Sequence, residues 1–436
     1  MLLKEKLSNN WGRNVNSNLK IIQPGNIFEL KNLIKKKSYI VIGNQRSFGD
    51  VGVNKNLLIS MKNFNKIINV DEKKGIIEVE SGALLKNILP IIIPKGWFFS
   101  VTPGTKYVSI GGMIANNVHG KNTTKNQTKY YVKSIKLLTL DKKIIDCSKN
   151  KNKKIFDLTL GGFGLTGIIL SAKIKLKKIN SPYMEQNIIE YENFPDFFKI
   201  AKNIKNYEYS VSWVDNFSDK KISGLWFLAN HSKKIDNSNL KFPAERKLGL
   251  LSYLVLRIVT TNLFFSKLSN FFYRKYKKYF HREKIIFNDC FYPQDHFVDW
   301  NKAYGKNGLF QFQFLVPEKK FQDILKILFV FFEEKKLFSS FIVIKKMKEK
   351  GKYLNFAGDG YSVSFDFQIN DKFSLLKKFL NETTSKHKLK VNFAKDFITN
   401  ELNAHNYPEF KDFKKKLFTL NPKRKLNTIL SKRLKI

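Results

Sequence analysis

Cysteine is scarce in this chain: two in 436 residues, Cys147 and Cys290, far apart and outside any Cys-x-x-Cys pair. That excludes a disulfide framework and a cysteine-rich zinc site, and it suits a reducing cytoplasm. Acid is short too, with 36 Asp and Glu against 79 Lys and Arg and a formal charge of +43. No stretch rich in Gly, Pro or Ser marks a linker, and no repeat is visible. The amino terminus, MLLKEKLSNNWGRN, lacks an apolar run long enough for a signal peptide. The longest apolar stretch, Leu248 to Phe265, is broken by Arg257 and by Thr260, Thr261 and Asn262. Crossing a bilayer with it would be costly.

What remains is ample core material. Hydrophobic residues make up 43% of the chain and aromatics 14%, including 40 Phe, which describes a folded protein. Two domains are expected, at ~100–200 residues each. The cations are spread along the whole chain, so their charge reads first as a solvated surface. Attraction to an anionic membrane face or a phosphorylated substrate comes second. Nucleic acid comes last, since no recognised nucleic-acid module is present. The apolar stretch runs on to FFYRKYKKYF (Phe271 to Phe280), a mixture suited to lying in a membrane interface. A pair of core helices or a loop is the alternative.

Short apolar runs alternate with Gly-bearing turns through residue 183. Strands are predicted at Ser38–Gly43, Leu57–Met61 and Gly75–Gly82, a helix at Ala83–Ile93 limited by Pro90, a β pair joined near Asp141, and a strand at Ile168–Ile179. From Ile189 longer aromatic strands (YSVSWVD, GLWFLANH, GLFQFQFLVP, YSVSFDFQI) stand between helical segments such as KKFQDILKILFVFFEEKKL. That pattern predicts a second α+β domain. The tail from Asn392 is basic and partly helical.

Several glycine-rich points carry the chemistry. Gly162 to Gly167 is a literal GxGxxG, but a helical IFDLTL precedes it and a strand follows. This is the reverse of the dinucleotide-binding order, so NAD is rejected. GNQRSFGD (Gly43 to Asp50) follows a strand and could converge several N–H groups on an anion; taken alone it is an ordinary polar turn. TPGT (Thr102 to Thr105) and SIGGMIANNVHG (Ser109 to Gly120) also place Gly where backbone must approach something closely. Three such points without a Walker lysine suggest a large flat phosphate-bearing cofactor.

Taken in order, GNQRSFGD, EVESGALLKNIL, GWFFSVTPGTKYVSIGGMIANNVHGKN and LGGFGLTGIIL resemble the FAD-binding domain of the vanillyl-alcohol oxidase and p-cresol methylhydroxylase (PCMH) type. More narrowly, WGR (Trp11 to Arg13), RSFGD, HGKN, QFQF (Gln311 to Phe314) and AKD (Ala394 to Asp396) follow the order of the decaprenylphosphoryl-β-D-ribose 2-oxidases. These are membrane-associated flavoenzymes of cell-envelope arabinan synthesis. The similarity runs from about residue 7 to the C-terminus.

The resemblance implies an α+β chain. A two-subdomain PCMH-type FAD-binding domain (1–183) would precede a substrate domain with an antiparallel sheet (184–390), carrying a membrane-interface insert at 240–282. The segment 391–436 would return to the flavin. FAD would be held non-covalently, because Arg46 stands where covalent relatives carry a flavin-linked histidine. Its contacts would be Gly43, Asn44, Gln45, Arg46, Ser47, Phe48, Gly49 and Asp50, then Gly104, Thr105, Ser109, Gly111, Gly112, Asn116 and His119, and finally Gly164, Gly167, Ile169 and Asn392. Substrate would meet Lys121, Trp213, Tyr292, Gln311, Gln313, Lys345 and Ser364. Lys395 would be the base, or the cation beside a developing alkoxide, with His119 orienting the hydroxyl. No metal is expected.

The implied reaction oxidises C2 of a polyprenyl-phosphate pentose. A short-chain NAD(P)H reductase would act next, completing an epimerisation at the inner face of the cell membrane. Some positions depart from the pattern: Phe48 for a Tyr, Phe163 for an Asn, Asn392 for an aromatic, and Ser364 for a reactive cysteine. A soluble alditol or aldonolactone oxidase is the alternative, and a nucleic-acid-binding protein the second.

Overall fold

The computed structural model describes residues 2–436 apart from 37, 218–221, 236–241, 243–245, 248 and 350. The first part of the expected insert at 240–282 thus falls partly outside the described residues. Three sheets organise the rest. The first orders the strands Leu2–Asn9, Asn16–Gln23, Leu58–Ser60 and Ile40–Ile42, the last three mutually parallel. Leu58–Ser60 is buried on both faces, whereas Ile40–Ile42 leaves Val41 half-buried where it lines a cavity. The GNQRSFGD loop leaves the carboxyl end of Ile40–Ile42, where open parallel sheets place their ligands.

The second sheet is antiparallel and centres on Ile168–Lys178, flanked by Ile76–Glu80 and Val132–Leu138, with Ile67–Asp71 and Ile144–Ser148 outside. Its alternation is plain in Ile76–Glu80, where Ile77 and Val79 are fully buried. The helix Lys153–Thr159 precedes the GxGxxG and the long strand follows it, as read from sequence. Pro90 does not end its helix, which runs Leu85–Ile92. Inside so short a helix a proline removes a single backbone bond.

The third sheet is antiparallel throughout and holds eight strands, in the order Lys284–Ile286, Tyr183–Tyr191, Ile222–His231, Tyr209–Phe217, Phe341–Met347, Gly360–Gln368, Leu309–Val316 and Lys390–Val391. Leu309–Val316 is buried on both faces. One face packs on the helix Phe321–Glu334 through Phe321, Leu325, Leu328 and Phe332; the other turns its Gln residues toward the first domain. After Val391 the chain crosses back, and Leu426 bridges to Tyr39 of the first sheet.

The helices Leu250–Thr261 and Leu263–Tyr279 are not core helices. Thr260 and Ser266 are their only buried side chains, while Leu251, Val255, Phe264, Phe271, Phe272 and Tyr276 all stand exposed. No described helix is long and apolar enough to cross a membrane.

Candidate active site

A cavity of about 840 Å³ lies between the first two sheets and the third. The loops 43–49 and 104–119, the turn at Gly164 to Ile169, the strand pair carrying Gln311 and Ser364, and the segment Asn392–Lys395 all contribute to its wall. Ser109 begins the helix Ile110–Ala115, its hydroxyl accepting from Gly112 N–H at 3.3 Å. Asn44 ties the two loops together, its amide donating to the Tyr107 carbonyl at 2.9 Å. So the glycines at 111 and 112 open a helix whose first turn faces the cavity.

Close approach explains two glycines directly. A Cβ at Gly43 would lie 1.8 Å from Ser109 Oγ, and one at Gly49 would lie 2.1 Å from the Asp396 carbonyl oxygen. A Gly49→Ala protein is therefore expected to purify with markedly less flavin per chain than the wild type, as read from the visible-to-ultraviolet absorbance ratio. A Cβ at Gly104 would meet nothing within 4 Å, so that backbone lies open to a ligand.

Behind the loop, Arg433 bonds both Asp50 oxygens (2.8 and 3.1 Å) and Asp396 Oδ2 (2.7 Å). The two carboxylates are almost completely buried. This clamp ties the first loop, residue 396 and the last helix, Ile429–Arg433, into one unit. Asp50 thus does not line the cavity as expected; it fixes the loop from behind.

Arg46 does line the cavity, sandwiched with its guanidinium 4.0 Å from the Trp11 ring centre and 4.8 Å from that of Tyr107. Stacking of this kind holds a guanidinium in one orientation.

At the other end stand three lysines and a histidine. His119 is buried, with Nε2 3.2 Å from Gln313 Oε1 and Nδ1 3.3 Å from the Gly120 carbonyl. Burial, then the nearby Lys345 and Lys395, push its pKa well below the ordinary value, so the ring is neutral. It can then donate from only one nitrogen. Gln313 is pinned by three bonds: it donates to Ser362 Oγ (2.6 Å), accepts from Asn392 (2.8 Å), and meets His119.

Lys121 donates to the Cys290 carbonyl at 2.5 Å, and Lys345 reaches the Gly120 carbonyl at 3.4 Å. Burial lowers the pKa of each, and Lys395 and Lys121 lower that of Lys345 further. Lys395 sits over the Phe48 ring at 5.7 Å, and burial pushes it down to about 8 against the pull of Asp366. The chamber thus gathers three lysines whose charged forms burial and, for Lys345, the neighbouring lysines disfavour.

Of the expected site residues, Asp50 and Tyr292 stand outside the cavity wall; every other one lines it. Tyr292 is fully buried, its hydroxyl 2.5 Å from Thr102 Oγ1. It braces Thr102, just ahead of the second loop, and is not part of the cavity wall. Trp213 lines the cavity and packs edge-on against Tyr273 of the exposed hairpin, rings 4.9 Å apart. Tyr276, Lys277, Phe280, His281 and Arg282 carry the wall outward along that hairpin. Sequence reading missed Asp366, Arg433, Trp300 and Phe356. Only Asp366 left a signal, as an acid alternating with Ser362 and Ser364 in an otherwise apolar strand.

The wall suits FAD. Buried Asn116 Oδ1, Gln311 Oε1 and Ser364 Oγ have no partner among the described residues, and such atoms at a cavity surface are ordinarily met by a ligand or water. Residues 20–148 match the FAD binding domain family. The chain is similar to a decaprenylphosphoryl-β-D-ribose oxidase of Mycolicibacterium smegmatis, 29% identical over 349 residues, 76% of this chain and 75% of that protein. It is also similar to mouse L-gulonolactone oxidase, 24% identical over 158 residues (35% of this chain, 36% of that one). Mitochondrial L-galactono-1,4-lactone dehydrogenase of Arabidopsis thaliana is 25% identical over 188 residues, 42% of this chain and 30% of that one.

Proposed function

Taking as premise that this chain is an FAD-dependent oxidoreductase of the PCMH type, we propose that it oxidises a secondary hydroxyl, at C2 of a polyprenyl-phosphate-linked pentose. The observation that carries this reading is the joining of a lysine-lined chamber to an apolar and basic hairpin at its mouth. A soluble lactone or polyol needs neither. The similarity to the ribose oxidase spans 349 residues, more than the 183 expected of the cofactor domain, and so reaches into the substrate half. The similarities to lactone oxidases cover 35–42% of the chain.

Bound flavin supplies a two-electron acceptor for the hydride that leaves the carbinol carbon. The protein handles the proton and the geometry. Lys395, neutral for a substantial fraction of the time near pH 8, takes the hydroxyl proton. Neutral His119, held by Gln313, orients that hydroxyl. The amides of Gln311 and Gln313 lie on one strand face and meet the other sugar hydroxyls. Lys121 and Lys345 stabilise negative charge as the proton departs. FAD is held without a covalent bond, the stacked Arg46 occupying the place of a linking histidine. The keto sugar would pass to an NAD(P)H-dependent reductase.

One experiment tests this. Flavin-loaded protein mixed anaerobically with polyprenyl-phosphate pentose, free alditol or aldonolactone should bleach with the first only. Bleaching by an aldonolactone alone would favour the other reading.

The hairpin is the membrane contact in this proposal, at the inner face of the cell membrane. Its exposed Phe264, Phe271 and Phe272 would enter the headgroup region, with Lys267 and Lys275 facing anionic lipid. Replacing the three Phe by Ser should abolish co-sedimentation with anionic phospholipid vesicles and leave oxidation of a short-chain substrate intact. Undiminished sedimentation would remove the hairpin from this role.

A further inference from the structure

Antiparallel pairing of Leu309–Val316 with Gly360–Gln368 sets Gln311 opposite Asp366 and Gln313 opposite Ser364. Asp366 therefore shares the face that carries the two Gln residues. It is 1% exposed. Its Oδ1 accepts from Gln311 Nε2 at 2.6 Å, whereas Oδ2 has no hydrogen-bond partner among the described residues. The backbone is fixed on both sides: Asp366 N–H donates to Ser339 Oγ (2.9 Å), and its carbonyl accepts from Ser340 N–H (3.0 Å).

A buried carboxylate that uses half its acceptor capacity costs stability. Asn or Ser could serve the Gln311 bond without that cost, so packing alone gives no reason for an acid here. The charged and titratable groups around it supply one. Lys395 lines the cavity beside Gln311 and is the cation that acts on Asp366. Tyr304, bonded to Ser340 Oγ at 2.8 Å, is the other titratable neighbour, and burial keeps it neutral. Lys345 and His119 meet Lys395 within the chamber, and Lys121 adds its charge at Lys345.

Burial pushes the Asp366 carboxyl up and the Lys395 ammonium down, and each opposes the shift of the other. The two therefore titrate as a pair. The amide of Gln311 reports the same arrangement: with its nitrogen on Asp366, its unpartnered oxygen is left for the cavity side.

We propose that Asp366 is a positioning residue for the oxidation: its buried charge steadies the ammonium that Lys395 becomes on taking the substrate's proton, and its bond to Gln311 turns that amide so that oxygen, not nitrogen, is offered to a sugar hydroxyl. This rests on Lys395 being the base. Asp366→Asn keeps the shape, removes the charge and lets the Gln311 amide rotate.

The pH limb of kcat/KM should then move downward by about one unit, because a lysine without its neighbouring anion gives up its proton more readily. KM should rise while flavin content stays at the wild-type level. A limb that stays in place, with only a uniform loss of rate, would overturn the proposal.

The reciprocal test needs no variant at 366. In Lys395→Met, loss of the opposing cation should enlarge the protonated-carboxyl band in pH-difference infrared spectra at neutral pH. An unchanged band would also overturn it. The underlying reading fails separately: a Lys395→Met enzyme with wild-type turnover removes Lys395 as base, whatever Asp366 does.

Discussion

Lys395→Met is expected to slow substrate-driven flavin reduction by about 10²–10⁴-fold, with the flavin still bound. Methionine keeps the length and apolar stem of the side chain over Phe48 and removes only the amine. The pH profile carries the sign. A base works unprotonated, so the wild-type rate should climb as pH rises through the lysine's value of about 8 and level off above it. The variant should lack that limb. It should also ease protonation of His119 and Lys345, both held down in part by the Lys395 charge. Stopped-flow reduction across pH 6–10, a range chosen to bracket that value, checks both.

The second large effect concerns stability. Arg433→Ala leaves Asp50 and Asp396 buried with no cation between them. Breaking a buried pair in this way costs roughly 3–5 kcal/mol, and here it unpins the loop 43–49 as well. The expected result is loss of flavin on purification and a lower melting temperature. Asp50 already lies above its ordinary value through burial, with Arg433 pulling it down. Without Arg433 it rises further, so the folded chain binds a proton that the unfolded chain releases. The stability deficit of the variant should therefore narrow as pH falls and widen as pH rises through the folded value of that carboxyl. Melting curves at two pH values distinguish this from a pH-independent packing loss.

The two predictions also mark what the sequence could and could not disclose. The glycine loops were legible because their signal is local: a strand, then Gly, Asn, Arg and Ser within eight residues (43–50). Period two likewise sets Gln311 and Gln313 on one face of their strand. The Arg433 clamp joins positions 383 and 37 residues apart, and no window of sequence holds it. Asp50 was therefore read as a cofactor contact when its work is to fasten the loop. Tyr292, which only the resemblance implies as a substrate contact, is fully buried and stands outside the cavity wall. The hairpin divided two readings that differ only in what covers the apolar face, and exposure in the folded chain decides against the core helices.

The account stands on one event: the carbon–hydrogen bond broken is that of a secondary carbinol facing the lysine-rich chamber. Anaerobic reduction of the bound flavin by polyprenyl-phosphate pentose, protiated or deuterated at C2, tests it most directly. A rate that falls several-fold on C2 deuteration is the predicted result. Equal rates for C2-protiated and C2-deuterated substrate, with slowing only when another carbon is labelled, would contradict it.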